Sequence, residues 1–251
     1  MTATTIVAIG GGGLSQTQHS HRLHEFLLSL APPARRPRIC FVPTASGDSA
    51  DLVKRFKSAF PKADASVLSL FWRDRSDLRA QVLAQDIIYV GGGSTANLLA
   101  IWRLHGLDEV LTEAARAGVV MAGWSAGMNC WFEASVTDSF GPGLAPLDDG
   151  LGLLHGSCCP HYHGKEHRRP RYLDLVASGE IAAGYAVDDN CALVFKDGEL
   201  AEAVSSRKGA GAFRVLADSG TATEQPLDVR FLGGPRILAP GWLRLPRLPS
   251  R

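Results

Sequence analysis

A serine flanked by small residues, Gly123-Trp124-Ser125-Ala126-Gly127, follows the apolar run at 119–122. A G-x-S-x-G turn between a strand and a helix needs glycine because the backbone there is strained and doubles back closely. Such a turn pushes the hydroxyl out of the sheet and aims the following N–H groups at the same point. An attacking oxygen then stands beside an oxyanion site. A plain Gly/Ser turn after a buried strand is the competing reading. It gives way because strand-type residues precede the serine and residues 128–132 can start a helix.

A serine hydroxyl needs a base, and eight histidines are available. His19, His21 and His24 lie on or before a helical pattern, and His105 falls at a helix end, where an imidazole suits the dipole. His155, His161 and His163 remain as bases. His161 leads because Cys158-Cys159-Pro160-His161-Tyr162 reads as a short buried segment. The acid that would orient the base is open among Glu133, Asp138, Asp148, Asp149, Asp188 and Asp189, each of which alone reads as a cap or turn former. Gly92 and Gly93 form a flexible turn that can present an N–H to a reacting carbonyl, completing an oxyanion hole with the Ala126 N–H. Residues 10–13 and 91–93 lack the spacing and the acidic partner of a dinucleotide site, and no G-K-[ST] is present for a P-loop. Close backbone approach at strand ends is the better reading of both.

The elements that would position these groups alternate through the first half. Strand patterns fall at 5–9, 38–42, 66–71 and 87–90, ahead of the run at 119–122. Helical spacing falls at 21–30, 50–60, 77–84, 107–117 and from the N-cap Ser94 or Thr95 to 105. This rhythm predicts an α/β fold, a mostly parallel sheet with helices on both faces, whose sites gather at the carboxyl ends of the strands. In the second half, 135–150 reads as loop, 170–177 as helix, and 181–187, 192–196 and 199–205 as strands. The last two are joined at Asp197-Gly198 as a β-hairpin. The tail from about 226, with Pro235, Pro240, Pro246 and Pro249, reads as irregular. No repeat or linker divides the chain, so residues 1–251 are expected to form a single domain.

Composition sets the limits. The 251 residues are 45% hydrophobic and 20% charged, ordinary for a soluble globular protein. With 26 basic and 25 acidic residues the net charge is +1, which carries no electrostatic footprint for nucleic acid or membrane. Five cysteines without C-x-x-C spacing argue for buried thiols in a reducing compartment and against a zinc site. The N-terminus lacks a basic region and a long apolar run, so a cytoplasmic protein is expected, with no metal or cofactor and a small molecule as partner. A homodimer is left open.

The ordered set A-I-G-G-G, F-V-P-T-A-S, Y-V-G-G-G-S-T-A-N-L-L, G-W-S-A-G-M, V-T-D-S-F-G, P-H-Y and V-D-D-N-C-A-L-V-F resembles the serine peptidase family of peptidase E (aspartyl dipeptidase) and cyanophycinase. The match runs over roughly residues 5–200. The resemblance implies an α/β sandwich related to class I glutamine amidotransferases, with serine in place of cysteine. It implies Ser125 as nucleophile, His161 as base, and an oxyanion hole at Gly92 or Gly93 and Ala126. For the acid it points to Asp138 in V-T-D-S-F, with Glu133 as runner-up. Arg168 in K-E-H-R-R-P-R matches the arginine that binds an acidic substrate side chain, with Arg169 and Arg171 as alternatives and a solvated basic helix start as the competing reading. The implied activity is hydrolysis of small peptides, foremost dipeptides with an N-terminal Asp. A cyanophycin-type or β-aspartyl exopeptidase, or a catalytically silent binder of a small acidic ligand, is the alternative.

Overall fold

The computed structural model describes residues 3–15, 18–33, 35–73 and 77–233. Its first half builds the centre of an eight-stranded sheet. Strands β1 (Thr5–Ile9), β2 (Arg38–Val42), β3 (Asp64–Val67), β4 (Ile87–Val90) and β5 (Val120–Trp124) pair in parallel in the order β1-β5-β4-β2-β3. Between them run helices α1 (Gln18–Leu28), α2 (Ala50–Ala59), α3 (Leu78–Leu83), α4 (Thr95–His105) and α5 (Leu107–Arg116). Ser49 caps α2 by accepting the Leu52 N–H, Ser94 caps α4 by accepting from Asn97, and the left-handed Gly106 ends α4.

Alternation along β1 divides the core. Val7 and Ile9 face a cluster with Leu23 and Leu27 of α1 and Phe56 of α2, while Ile6 and Ala8 face Leu98, Trp102 and Leu111 of α4 and α5. Strands buried on both faces read as continuous apolar runs, as Ile87–Val90 does.

After the short helix α6 (Ala126–Asn129), the chain leaves this sheet. Strands β6 (Phe132–Thr137), β7 (Ala145–Leu147), β8 (Leu154–Pro160) and β9 (Gly184–Val187) belong to a second, six-stranded sheet, with α7 (Arg168–Ala177) on its outer face. Strands β10 (Cys191–Lys196) and β11 (Glu199–Ser205) return to the first sheet, antiparallel beside β1. Their turn, Asp197-Gly198, has both φ angles positive, 51° and 83°, as a two-residue hairpin requires. Strands β12 (Ala212–Asp218) and β13 (Thr221–Pro226) extend the second sheet, and β14 (Val229–Phe231) pairs with β11. The protein is thus mixed α/β with two sheets flanked by helices.

Several expectations need correction. The stretch 135–150 contains the end of β6 and all of β7 rather than only loop. Residues 68–71 lie beyond the end of β3, and α6 is a single turn before the chain re-enters a sheet. The second sheet escapes the sequence pattern because Gly or Pro falls within or at the ends of several of its strands, among them Ala145–Leu147 and Leu154–Pro160. The irregular tail is displaced too: Thr221–Pro226 and Val229–Phe231 are strands, and residues 234–251, with their prolines, lie outside the described residues. Among the described residues, no helix is long and apolar enough to cross a membrane.

Phe56 is fully buried and stacks on Phe41 with ring centroids 4.9 Å apart, while Phe60 and Tyr89 close the cluster. Phe56→Ala is expected to lower the unfolding free energy by about 3–5 kcal/mol, read from the shift of a urea unfolding curve.

Candidate active site

Ser125 stands between the end of β5 and α6 with φ 56° and ψ −112°. A non-glycine residue held there stores about 1–3 kcal/mol of backbone strain, which surrounding bonds must hold in place. The Ser125 N–H donates to the Ile9 carbonyl at 3.1 Å, and the Ser125 carbonyl accepts from Met128 and Asn129 at 2.9 Å each. The two glycines of the motif have a steric cause. A Cβ on Gly123 would run into the Gly127 carbonyl, and one on Gly127 into the Val90 carbonyl.

His161 follows the last residue of β8 and also has a positive φ, 56°. Its Nε2 lies 2.9 Å from Ser125 Oγ, and its Nδ1 lies 2.5 Å from Asp189 Oδ1. A carboxylate can only accept, so Nδ1 carries the proton and Nε2 is left to accept from the serine hydroxyl. The hydrogen bond from His161 holds the Asp189 carboxyl below its usual range, against the opposing effect of burial. Asp189 therefore stays ionised where the imidazole exchanges its proton.

Asp189 lies in the short connection between β9 and β10. Its neighbour Asp188 braces the loop after His161, accepting from the His163 N–H at 3.0 Å and from Gly211 at 2.9 Å, with His163 Nδ1 2.9 Å away. Gly11 passes beneath the pair: a Cβ there would collide with Asp189 Oδ1 and the His161 ring. The first glycine run is thus a close backbone approach.

Gly92 abuts the other side of the serine, where a Cβ would stand 3.3 Å from Ser125 Cβ and 2.8 Å from Trp124 Nε1. Ala126 is the first residue of α6, so its N–H has no carbonyl one turn behind it. Gly93 has φ 142° and sits against the Ala45 carbonyl. Gly92, Gly93, Ser125 and His161 line one cavity of about 330 Å³.

Asp138, the acid expected beside the imidazole, is not there. Its Oδ2 is 3.1 Å from Arg168 Nη2 and 3.2 Å from Lys165 Nζ. Burial pushes its carboxyl up, but Arg168 and Lys165 outweigh that and hold it below the ordinary value. Glu133 is also elsewhere, accepting from the Gly156 N–H at 2.8 Å and paired with the exposed His155 near the start of β8. Both fall short because β6 flanks β8 on the side opposite β9, whose end brings Asp189 to Nδ1.

Arg168 is buried, not a solvated helix start. Its Nη1 donates to the Val136 carbonyl at 3.2 Å, and Nε is buried with no partner among the described residues. With Asp138, Lys165 and Arg171 it lines a second cavity of about 380 Å³. Arg169 turns away to pair with Glu224. The two cavities are joined through the backbone. The Lys165 N–H donates to the His161 carbonyl at 3.2 Å, and Ser139, next to Asp138, accepts from Thr95 at the start of α4 at 2.8 Å.

The five cysteines are free and buried. Burial pushes Cys159 up to about 12 and Cys158 and Cys130 well above their ordinary value, which removes them as thiolate nucleophiles. Among the described residues, no group of three or more His, Cys, Asp or Glu side chains could hold a metal ion.

Asp189 is among the candidate acids of the sequence, while the family resemblance points to Asp138 instead. Its signal was present: a pair of acids in V-D-D-N at the carboxyl end of an apolar strand, where sites of such sheets gather.

Known proteins resemble this chain over most of its length. The model of Peptidase family S51 matches residues 6–203. The Bacillus subtilis (strain 168) protein named Uncharacterized peptidase YgaJ is 49% identical over 230 residues, spanning 91% of this chain and 99% of its own. Peptidase E of Streptomyces coelicolor is 29% identical over 153 residues, 57% of this chain and 62% of that one. A peptidase from an acI-B1 Actinobacterium, known from a crystal structure, superposes with a TM-score of 0.64 at 18% identity, covering 90% of this chain and 94% of that one. That last likeness is one of fold.

Replacing Asp189 by Asn leaves Nδ1 free to adopt the wrong tautomer. Asp189→Asn is expected to slow modification of Ser125 by a fluorophosphonate about 10³–10⁴-fold. Asp138→Asn, which disturbs only the pair with Lys165 and Arg168, should slow it far less. Mass spectrometry of the labelled protein reads both rates.

Proposed function

The chain belongs to Peptidase family S51, and on that footing we propose that this serine-type peptidase cleaves dipeptides with an N-terminal acidic residue through Ser125, His161 and Asp189. The observation that carries the reading is the unbroken chain from Ser125 Oγ to His161 Nε2 at 2.9 Å and from His161 Nδ1 to Asp189 Oδ1 at 2.5 Å. Ser125 Oγ attacks the scissile carbonyl while His161 Nε2 takes its proton. Asp189 holds the imidazole in register and stabilises the imidazolium that forms. Charge developing on the carbonyl oxygen is met by the Ala126 N–H and by an N–H of Gly92 or Gly93. His161 then gives its proton to the leaving nitrogen, and the acyl group remains as an ester on Ser125. Water, deprotonated by the same imidazole, hydrolyses the ester and restores the serine.

Preference for an acidic residue is supported by the second cavity, where Lys165, Arg168 and Arg171 face Asp138 and Glu166. The cations outnumber the carboxylates, and a guanidinium suits a carboxylate partner. Asp138 already engages Arg168 and Lys165, so a substrate carboxylate entering there shares or displaces that pair.

Ser125→Ala is expected to abolish turnover of Asp-X dipeptides, measured by release of the free amino acids, while leaving the circular dichroism spectrum unchanged. Near-normal turnover by that variant would overturn the assignment. A panel of α-linked Asp-X, β-linked Asp-X, Glu-X and neutral dipeptides ranks the substrate classes, and equal rates across it would remove the acidic preference.

A further inference from the structure

The cavity over Ser125 and His161 holds a charged group that the reaction above leaves unused. Arg55 of α2 lines it, and is the one lysine or arginine among its described lining residues. Arg55 Nε lies 2.8 Å from Asp51 Oδ2, one helical turn earlier. That pair steadies the guanidinium from one side. Its two outer nitrogens, Nη1 and Nη2, make no hydrogen bond with any of the described residues. Arg168 differs on each count: it is buried, and both of its Nη atoms are engaged.

Every dipeptide, whatever its side chains, carries a C-terminal carboxylate. When its scissile carbonyl rests over Ser125, the leaving nitrogen must lie beside His161, which returns the proton. The carboxylate carbon is only two bonds beyond that nitrogen. It must therefore find its partner within the cavity of Ser125 and His161, not in the one lined by Lys165 and Arg168.

We propose that Arg55 is the specificity-determining residue that binds the free α-carboxylate of the leaving amino acid. The inference rests on the serine peptidase reading above. A guanidinium with both outer nitrogens open matches a carboxylate bidentately. The adjoining cavity, which shares Leu14 and Arg55 and is bounded by Ala59 and Pro61, gives the leaving side chain room. Two cationic sites in two cavities then divide the work, one reading the N-terminal side chain and the other the end of the chain. A substrate whose carboxylate is masked as an amide, or displaced by further residues, loses the second contact.

The test measures binding rather than turnover, using the full chain carrying Ser125→Ala. Calorimetry compares Asp-Leu with its C-terminal amide. The free acid should bind at least about tenfold more tightly than the amide. Adding Arg55→Ala should remove that difference by weakening the acid alone, and Arg55→Lys should restore part of it. A purely structural role for Arg55 would weaken both ligands together. An acid-to-amide ratio unchanged by Arg55→Ala, or no binding of either ligand, overturns the proposal. Hydrolysis by the protein with Ser125 intact judges the peptidase reading separately, since its failure would leave the binding ratio as measured.

Discussion

Three successive carbonyls at the end of β1 hold the site together. Ile9 accepts from the N–H of Ser125 at 3.1 Å, Gly10 from His161 at 3.2 Å, and Gly11 from Asn190, the neighbour of Asp189, at 3.0 Å. Residues distant in sequence, delivered by β5, β8 and the β9–β10 connection, are thus pinned to adjacent points on one strand. Backbone hydrogen bonds tolerate only a few tenths of an ångström of variation. The separation of hydroxyl, imidazole and carboxylate follows from that shared anchor. Glycine at 10 and 11 is a condition of it, since a Cβ at 11 would occupy the space of the Asp189 carboxylate and the His161 ring, and one at 10 would run into the Val187 and Asp188 carbonyls.

The same anchor explains how strained residues persist. Ser125 and His161 both have φ 56°, a region that a residue with a Cβ avoids. Each is fixed by a bond from its own N–H to β1 and by elements on either side. Buried aromatic packing adds rigidity beneath them. Trp124 stacks on Phe41 at 5.8 Å and packs on Tyr89 at 4.9 Å, and the Tyr89 hydroxyl donates to the Gly13 carbonyl at 3.1 Å. Strain at the reacting serine is thus supported from the core that α1 and α2 cover.

Much of this was readable in the amino-acid order, and what escaped did so for physical reasons. Most parallel strands of the first half, such as Ile87–Val90, are apolar runs between helices with Ser caps and Gly stops, signals that act locally. Gly123 and Gly127 announced a crowded turn, and the crowding is real. The acid was a different kind of problem. Asp138 and Asp189 are both acidic residues near strand ends, and choosing between them requires knowing on which side of β8 each strand lies. That is a long-range pairing decision, and no local pattern encodes it. The second sheet was missed for a related reason. Several of its strands carry Gly or Pro, such as Ala145–Leu147 with Pro146 at its middle, and owe their conformation to neighbours rather than to propensity.

The connection between β9 and β10 is a three-residue passage from one sheet to the other, and it carries Asp188, Asp189 and Asn190. Its length is therefore a ruler as well as a link. An extra residue there would be felt twice, in the spacing of the two sheets and in the path of a proton. The hairpin tip at Asp197-Gly198 carries no such double duty, so variation in length across related chains should collect at tips of that kind and spare the crossing.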